Sequence, residues 1–197
     1  MSDAGINQDP VDRYTSAHAG VGATMAWLGV PGWMALVVSV GWELIEDELK
    51  DRFPASFPYS SKDSMANAVA DTLAVLAGWR IAAASKESPN DRERLALAAA
   101  VGSTLGALTM PVAIGAARVQ GRNPERPAAR TAYVVGTAAG AAVGSALELH
   151  RSGVWDWTAY ALQMALTALG GGLGGPVGAA ASGYIGGAEL ERAGVVD

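Results

Sequence analysis

Apolar residues in this chain come in long uninterrupted runs rather than in short alternations. Ala19 to Trp42 holds 24 residues without a charge, Leu95 to Ala117 holds 23 and Thr158 to Ala188 holds 31. A hydrocarbon core about 30 Å thick is crossed by ~20 helical residues, so all three pass the length test for a membrane span. Thr131 to Leu147 has 17 such residues and is closed by Glu148, while Ser64 to Trp79 has 16 and carries Asp71 inside it. Charges and helix breakers collect between the runs: Glu46 to Asp63 with Pro54 and Pro58, Lys86 to Arg94 with Pro89, Arg118 to Arg130 with Pro124 and Pro127, and Arg151 to Asp156. The pattern predicts an all-α fold, a polytopic transmembrane helical bundle forming one membrane domain over residues 1–197. A polar segment occupies 1–16, and about five spans lie near 18–43, 64–85, 95–117, 131–149 and 158–188. The glycines at 170, 171, 172, 174 and 175, followed by Pro176, weaken the middle of the last run. That composition predicts a kinked or tilted span, with a re-entrant break as the alternative if the backbone there is buried or lines water.

Within the runs, small residues recur every fourth position. Ala132, Gly136, Gly140 and Gly144 form one ladder, Gly171, Gly175, Ala179, Gly183 and Gly187 another, and Ala98, Gly102 and Gly106 and Ala66, Ala70, Ala74 and Gly78 two more. Lipid tails give no hydrophobic drive for helices to associate, so close backbone approach through such glycine-zipper, small-xxx-small faces supplies much of the packing. The faces suit an intramolecular bundle and a homo-oligomer equally. Counting Lys and Arg by side, with 18–43 as one crossing, puts Arg13, Arg80, Lys86, Arg92, Arg94 and Arg151 with the N-terminus and the other eight opposite.

One polar stripe interrupts this pattern. Asp63, Asn67 and Asp71 share a helix face among Met65, Ala66, Ala68, Val69, Ala70 and Leu73, and the first run ends in Glu43, Glu46 and Asp47. An aspartate at mid-bilayer costs ~2.5 to 3.5 kcal/mol on insertion scales, so Asp71 requires compensation. Lys62 at the span entrance is a candidate partner, and His18 and Glu148 can approach from other spans. The functional reading is a wet pocket lined by Glu43, Glu46, Asp63, Asn67 and Asp71 that holds a proton, a cation or a polar head group. The bland one makes Glu43 to Lys50 a solvated helix end, with Glu46 and Lys50 an i,i+4 pair and Asp63 a charge facing the helix dipole. Paired carboxylates can split their pKa values or bind a divalent ion, and spacing assigns neither role. His18 and His150 are expected as interfacial hydrogen-bonders.

Composition narrows the classes. Charged residues make up 17% of the chain against roughly 25% in soluble domains. A net charge of -5 and a pI near 5.0 exclude a nucleic-acid footprint. The absence of cysteine removes disulfides, thiolate metal sites and Cys nucleophiles. Gly102-Ser103-Thr104-Leu105-Gly106 lacks the Lys and spacing of a phosphate loop, and no nucleophile elbow or triad surrounds the serines. Asp3, Asp9 and Asp12 stand against Arg13 where a cleaved leader would be basic, so the first apolar run is expected to be retained. Mean hydropathy of +0.20 keeps a soluble Ala/Gly-rich helical bundle as an alternative to the membrane protein.

From Trp42 to Gly78 the chain resembles the core of VanZ-like membrane proteins, in which a glutamate closes one span and the next opens with an acidic residue and an asparagine four positions on. Glu43, Asp63 and Asn67 stand in that pattern, whereas Glu46 stands in place of a glutamine, Lys62 in place of an arginine and Ala70 in place of a glycine. The resemblance implies a polytopic protein of the bacterial cytoplasmic membrane with a polar intramembrane site and no defined reaction. Two functions follow as expectations. One is a small integral membrane protein whose carboxylate-lined site takes an ion, a proton or a lipid head group. The other is a structural or oligomerising protein: a holin-like pore former, a membrane-inserted component of a virus or phage particle, or a subunit of a larger membrane complex. The expected partners are the lipid bilayer and, through the ladders, another copy or that complex. No cofactor is assigned.

Overall fold

A computed structural model describes residues 7–12, 14–52, 62–86, 88, 90–108 and 126–196, with 126–130 as backbone alone. Six helices and no strand occur among the described residues: α1 Thr15–Trp27, α2 Gly32–Arg52, α3 Met65–Ser85, α4 Asp91–Ala107, α5 Arg126–Arg151 and α6 Trp157–Arg192. The all-helical bundle agrees with the pattern of long apolar runs. Among the described residues, three helices are long and apolar enough to cross a membrane: Met65–Ser85, Thr131–Arg151 and Trp157–Arg192. The part of the expected third span beyond Leu108, the proline-bearing loops around Pro54, Pro58 and Pro124, and Asp3 and Arg13 lie outside the described residues.

The first apolar run is not one helix. After Trp27, Gly29 takes φ +83, its N–H donates to the Ala26 carbonyl and the Val30 N–H reaches back to Met25 at 2.9 Å. This is a Schellman C-cap, for which glycine is suited because the left-handed region costs it nothing. Pro31 then starts α2, its carbonyl accepting from the Met34 and Ala35 N–H groups. Run length alone could not show the reversal, because neither breaker carries a charge.

That reversal sets the directions. Ser39 meets Thr72, and Gly32 lies against the Trp79 ring, so α2 runs antiparallel to α3. His18 lies by Asp71 and Lys86 Nζ donates to the Trp27 carbonyl, so α1 and α3 are parallel. Lys50 and Lys62 therefore sit beside the N-terminal segment, while Lys86, Arg92, Arg94 and Arg151 gather at the opposite end, which inverts the side count made on a single first crossing.

The second correction concerns α6. Gly175 has φ 59 and ψ -148 in mid-helix, immediately before Pro176. In a straight helix Gln163 and Gly183 would stand about 30 Å apart. Here Gln163 Nε2 donates to the Gly183 carbonyl at 3.1 Å, and a Cβ placed on Gly170 would meet the Gly178 carbonyl at 2.4 Å. The element is a helical hairpin with arms 157–174 and 176–192, neither a kinked nor a tilted single rod. Its tip reaches α1, where a Cβ on Gly20 would meet Pro176 at 2.6 Å.

α4, α5 and the two arms of α6 pack as one group, joined to α1 and α3 mainly through α1, while α2 lies at the edge against α3. The α4–α5 backbones are nearly in contact. A Cβ on Gly102 would lie 2.1 Å from the Gly140 carbonyl, and one on Gly106 1.9 Å from that of Gly136. Many of the fully buried positions are small or polar, including Ala99, Ala141, Ala179, Ser103, Thr137, Ser145 and Thr167; Leu95 and Leu149 are the large apolar side chains buried with them, whereas Leu44, Met65, Trp157 and Leu173 are each more than three-quarters exposed.

Candidate functional site

The end of the bundle that carries residues 7–12 gathers most of the carboxylates singled out in the sequence. On α2, Glu43, Glu46 and Lys50 fall at i, i+3 and i+7 and so share one face. On α3, Ser64 caps the helix by accepting the Asn67 N–H at 3.1 Å, which fixes Asp63 just before the first turn and carries Asp71 two turns in. α1 adds His18 one turn from its start. The cap of α1 is itself acidic: Asp12 Oδ1 accepts from the Tyr14 and Thr15 N–H groups at 2.7 and 3.2 Å.

Two linked clusters result. In the first, His18 lies between two carboxylates, with Nδ1 4.0 Å from Glu43 Oε1 and Nε2 3.5 Å from Asp71 Oδ2. Glu43 Oε1 and Asp71 Oδ1 are buried and have no hydrogen-bond partner among the described residues. In the second, Lys50 Nζ sits between Asp63 Oδ2 at 2.8 Å and Glu46 Oε1 at 3.1 Å. Burial works to lower the Lys50 pKa, but the Asp63 hydrogen bond and the charges of Glu46 and Asp63 outweigh it and leave the pKa above the ordinary 10.5. His18, Glu43 and Asp71 can each place one ligand atom within 4.8 Å of the other two, and Glu43, Glu46 and Asp63 can do the same. Glu43 belongs to both sets.

The remaining sequence candidates separate. Asn67 is buried at the same end, but its Nδ2 donates to the Asp9 carbonyl at 3.1 Å, tying the N-terminal segment to α3. Ser64 and Gln8 complete that tie through the Gln8 and Lys62 carbonyls. Lys62 points outward to Asp51 at 3.2 Å, with both side chains more than half exposed. Glu148 is at the far end, held by Arg94 Nε at 2.9 Å beside a cavity of about 520 Å³ that Trp27, Lys86 and Arg151 also line. Of the three proposed partners for Asp71, only His18 reaches it. Lys50 is the group the sequence reading undervalued. Its i,i+4 relation to Glu46 looked like an ordinary solvated pair, and the only signal was that Glu43 continues the same face.

An apolar groove of about 970 Å³ runs beside the site. It starts at Asp12, Thr15 and Ser16 and follows α1, α3 and the second arm of α6 as far as Ser85 and Tyr184. No family model, no curated protein and no solved structure matches the chain.

Proposed function

We propose that this is an integral membrane protein whose buried Glu43–His18–Asp71 cluster binds and releases a cation or a proton at one end of the helical bundle. The observation that carries the proposal is that contact itself: an imidazole between two carboxylates, each with a buried oxygen that has no hydrogen-bond partner among the described residues, set in a bundle that leaves many large apolar side chains exposed. A soluble core would bury Leu and Trp and expose the small and polar residues, whereas lipid reverses the preference. Ionisable groups inside such a bundle mark ion or proton sites by default. The VanZ-like spacing of Glu43, Asp63 and Asn67 is in keeping with a bacterial membrane protein of this kind, and it names no reaction.

Two measurements test this. Carbonate washing of membranes should leave the protein in the pellet, and release into the supernatant would remove the membrane half of the proposal. In detergent, the thermal midpoint of the wild type should depend on pH and on Na+ concentration, and Glu43→Gln and Asp71→Asn should flatten that dependence while retaining helical content. Unchanged profiles in both variants would sink the cation or proton site.

A lipid head group is the second reading, and the groove favours it, because an acyl chain lying along α3 would bring its head beside Asp12, Thr15 and Ser16. The oligomerising alternative gains less support. Gly102, Gly106, Gly136, Gly140 and Gly144 face one another within the chain, so those small-residue faces are engaged before a second copy arrives.

A further inference from the structure

The two clusters at this end of the bundle are not equivalent. In the second, a cation is already built in: the Lys50 ammonium bridges Glu46 and Asp63 at hydrogen-bond distance. In the first, the side chains of Glu43 and Asp71 are 9% and 6% exposed, and each has a buried oxygen with no hydrogen-bond partner among the described residues. Two carboxylates taken this far out of water need compensation, and the His18 ring beside them offers a nitrogen as a further ligand atom.

We propose that His18, Glu43 and Asp71 form a binding site for one divalent first-row transition-metal ion, with Zn2+ the best fit. This rests on reading the cluster as a cation site and names the cation. Zinc holds histidine nitrogen and carboxylate oxygen at about 2.0 to 2.2 Å, which in a tetrahedral arrangement sets neighbouring donors roughly 3.3 Å apart. The His18 Nε2 to Asp71 Oδ2 separation of 3.5 Å is close to that spacing, and one donor atom from each of the three residues lies within 4.8 Å of the other two. The donor chemistry selects among metals. Calcium takes six to eight oxygens and magnesium keeps several waters in an octahedron, whereas one imidazole with two carboxylates suits zinc, manganese or iron. Charge selects as well. A divalent ion with two carboxylates and a neutral imidazole sums to zero, which suits a site taken out of water, and the Lys50 bridge keeps Glu46 and Asp63 occupied beside it. Three protein ligands leave a fourth position for water or for an oxygen of a bound molecule, the arrangement of a reactive rather than a closed structural zinc site.

The test uses the full chain purified in detergent, stripped with a chelator and then equilibrated with ZnCl2, MnCl2 or MgCl2. The proposal expects one equivalent of Zn2+ by elemental analysis, a higher thermal midpoint with Zn2+ than with Mg2+, and loss of both effects in His18→Ala and Asp71→Asn, with Glu93→Gln as a background control. A readout that needs no variant guards against misfolding: Co2+ added to the stripped wild type should give visible absorption bands of a four-coordinate site, abolished by Zn2+. Failure of the wild type to bind Zn2+ or Mn2+, or unchanged binding in both folded variants, overturns the metal. If the metal fails while the pH and Na+ dependence of the midpoint still vanishes in Glu43→Gln and Asp71→Asn, the cation or proton site stands without it. If that dependence is also unaltered, both readings fall.

Discussion

The α4–α5 seam and the polar end of α1–α3 are built from opposite materials. In the seam, Gly102, Gly106, Gly136, Gly140 and Gly144 bring two backbones so close that one added carbon would collide with a carbonyl. At the polar end, long side chains from three helices meet, and two buried carboxylate oxygens find no hydrogen bond among the described residues. The seam gains from packing and has no spare volume, while the polar end holds charge that the fold alone does not satisfy. Close backbone packing and ligand chemistry are thereby assigned to separate places, and substitutions should be able to separate them.

The largest effect is expected at Lys50. Lys50→Met keeps the length of the side chain and removes the charge, leaving Glu46 and Asp63 unpaired. Removing one partner of a buried pair costs about 3 to 5 kcal/mol, and the modest exposure of both carboxylates places this case near 3. Because the folded pKa of Lys50 is raised, its contribution is complete below pH 10.5 and is lost as the pH climbs through the higher folded value. Midpoints of wild type and variant should therefore stay apart up to about pH 10 and converge only in stronger alkali. Convergence near neutral pH would mean that the bridge does not hold the polar end together.

Gly140→Ala comes next. Its new methyl would lie 2.0 Å from the Gly102 carbonyl, so the helices must move apart, a cost of about 1 to 3 kcal/mol. The same variant should keep the pH and Na+ dependence of the wild type, because among the described residues α5 packs on α4 and α6 and not on the helices that carry the polar cluster. A destabilised protein with an altered ion response would mean that seam and site are coupled, and the contrast between them would fail.

How far these two regions were legible beforehand follows from the range of the interactions involved. Long apolar runs announce helices, and a polar repeat at i, i+4, i+8 announces a shared face, so the bundle and the Asp63–Asn67–Asp71 stripe could be read directly. The proximity of Glu43 followed from two runs facing one short connection. Three features escaped because they depend on direction rather than composition. The Gly29 cap reverses the chain without a charge to mark it. The Gly174-Gly175-Pro176 stretch was visible as weak helix, but its turn into a hairpin is decided by a single positive φ and by Gln163 reaching Gly183. Lys50 was hidden because an i,i+4 pair with Glu46 is ordinary on a solvated helix, and its second partner, Asp63, comes from the segment that leads into α3. Glu148, a candidate to approach Asp71 from another span, lies instead beside Arg94 at the far end, because a position along a run fixes a helix face and not which neighbour it meets.

The smallest expected effect sharpens the boundary of the site. Asn67 lies on the same stripe as Asp71, yet its amide is committed to the Asp9 carbonyl and its N–H to Ser64. Asn67→Ala should therefore cost only the net value of one buried hydrogen bond, about 1 kcal/mol, together with easier proteolysis of residues 7–12. Its pH and ion dependence should match the wild type, unlike that of Asp71→Asn, whose side chain is nearly isosteric but has lost its charge. If Asn67→Ala instead flattened the ion response as Asp71→Asn does, the N-terminal segment would have to be counted as part of the site. The cluster would then extend from His18 through Asn67 to the backbone of Asp9.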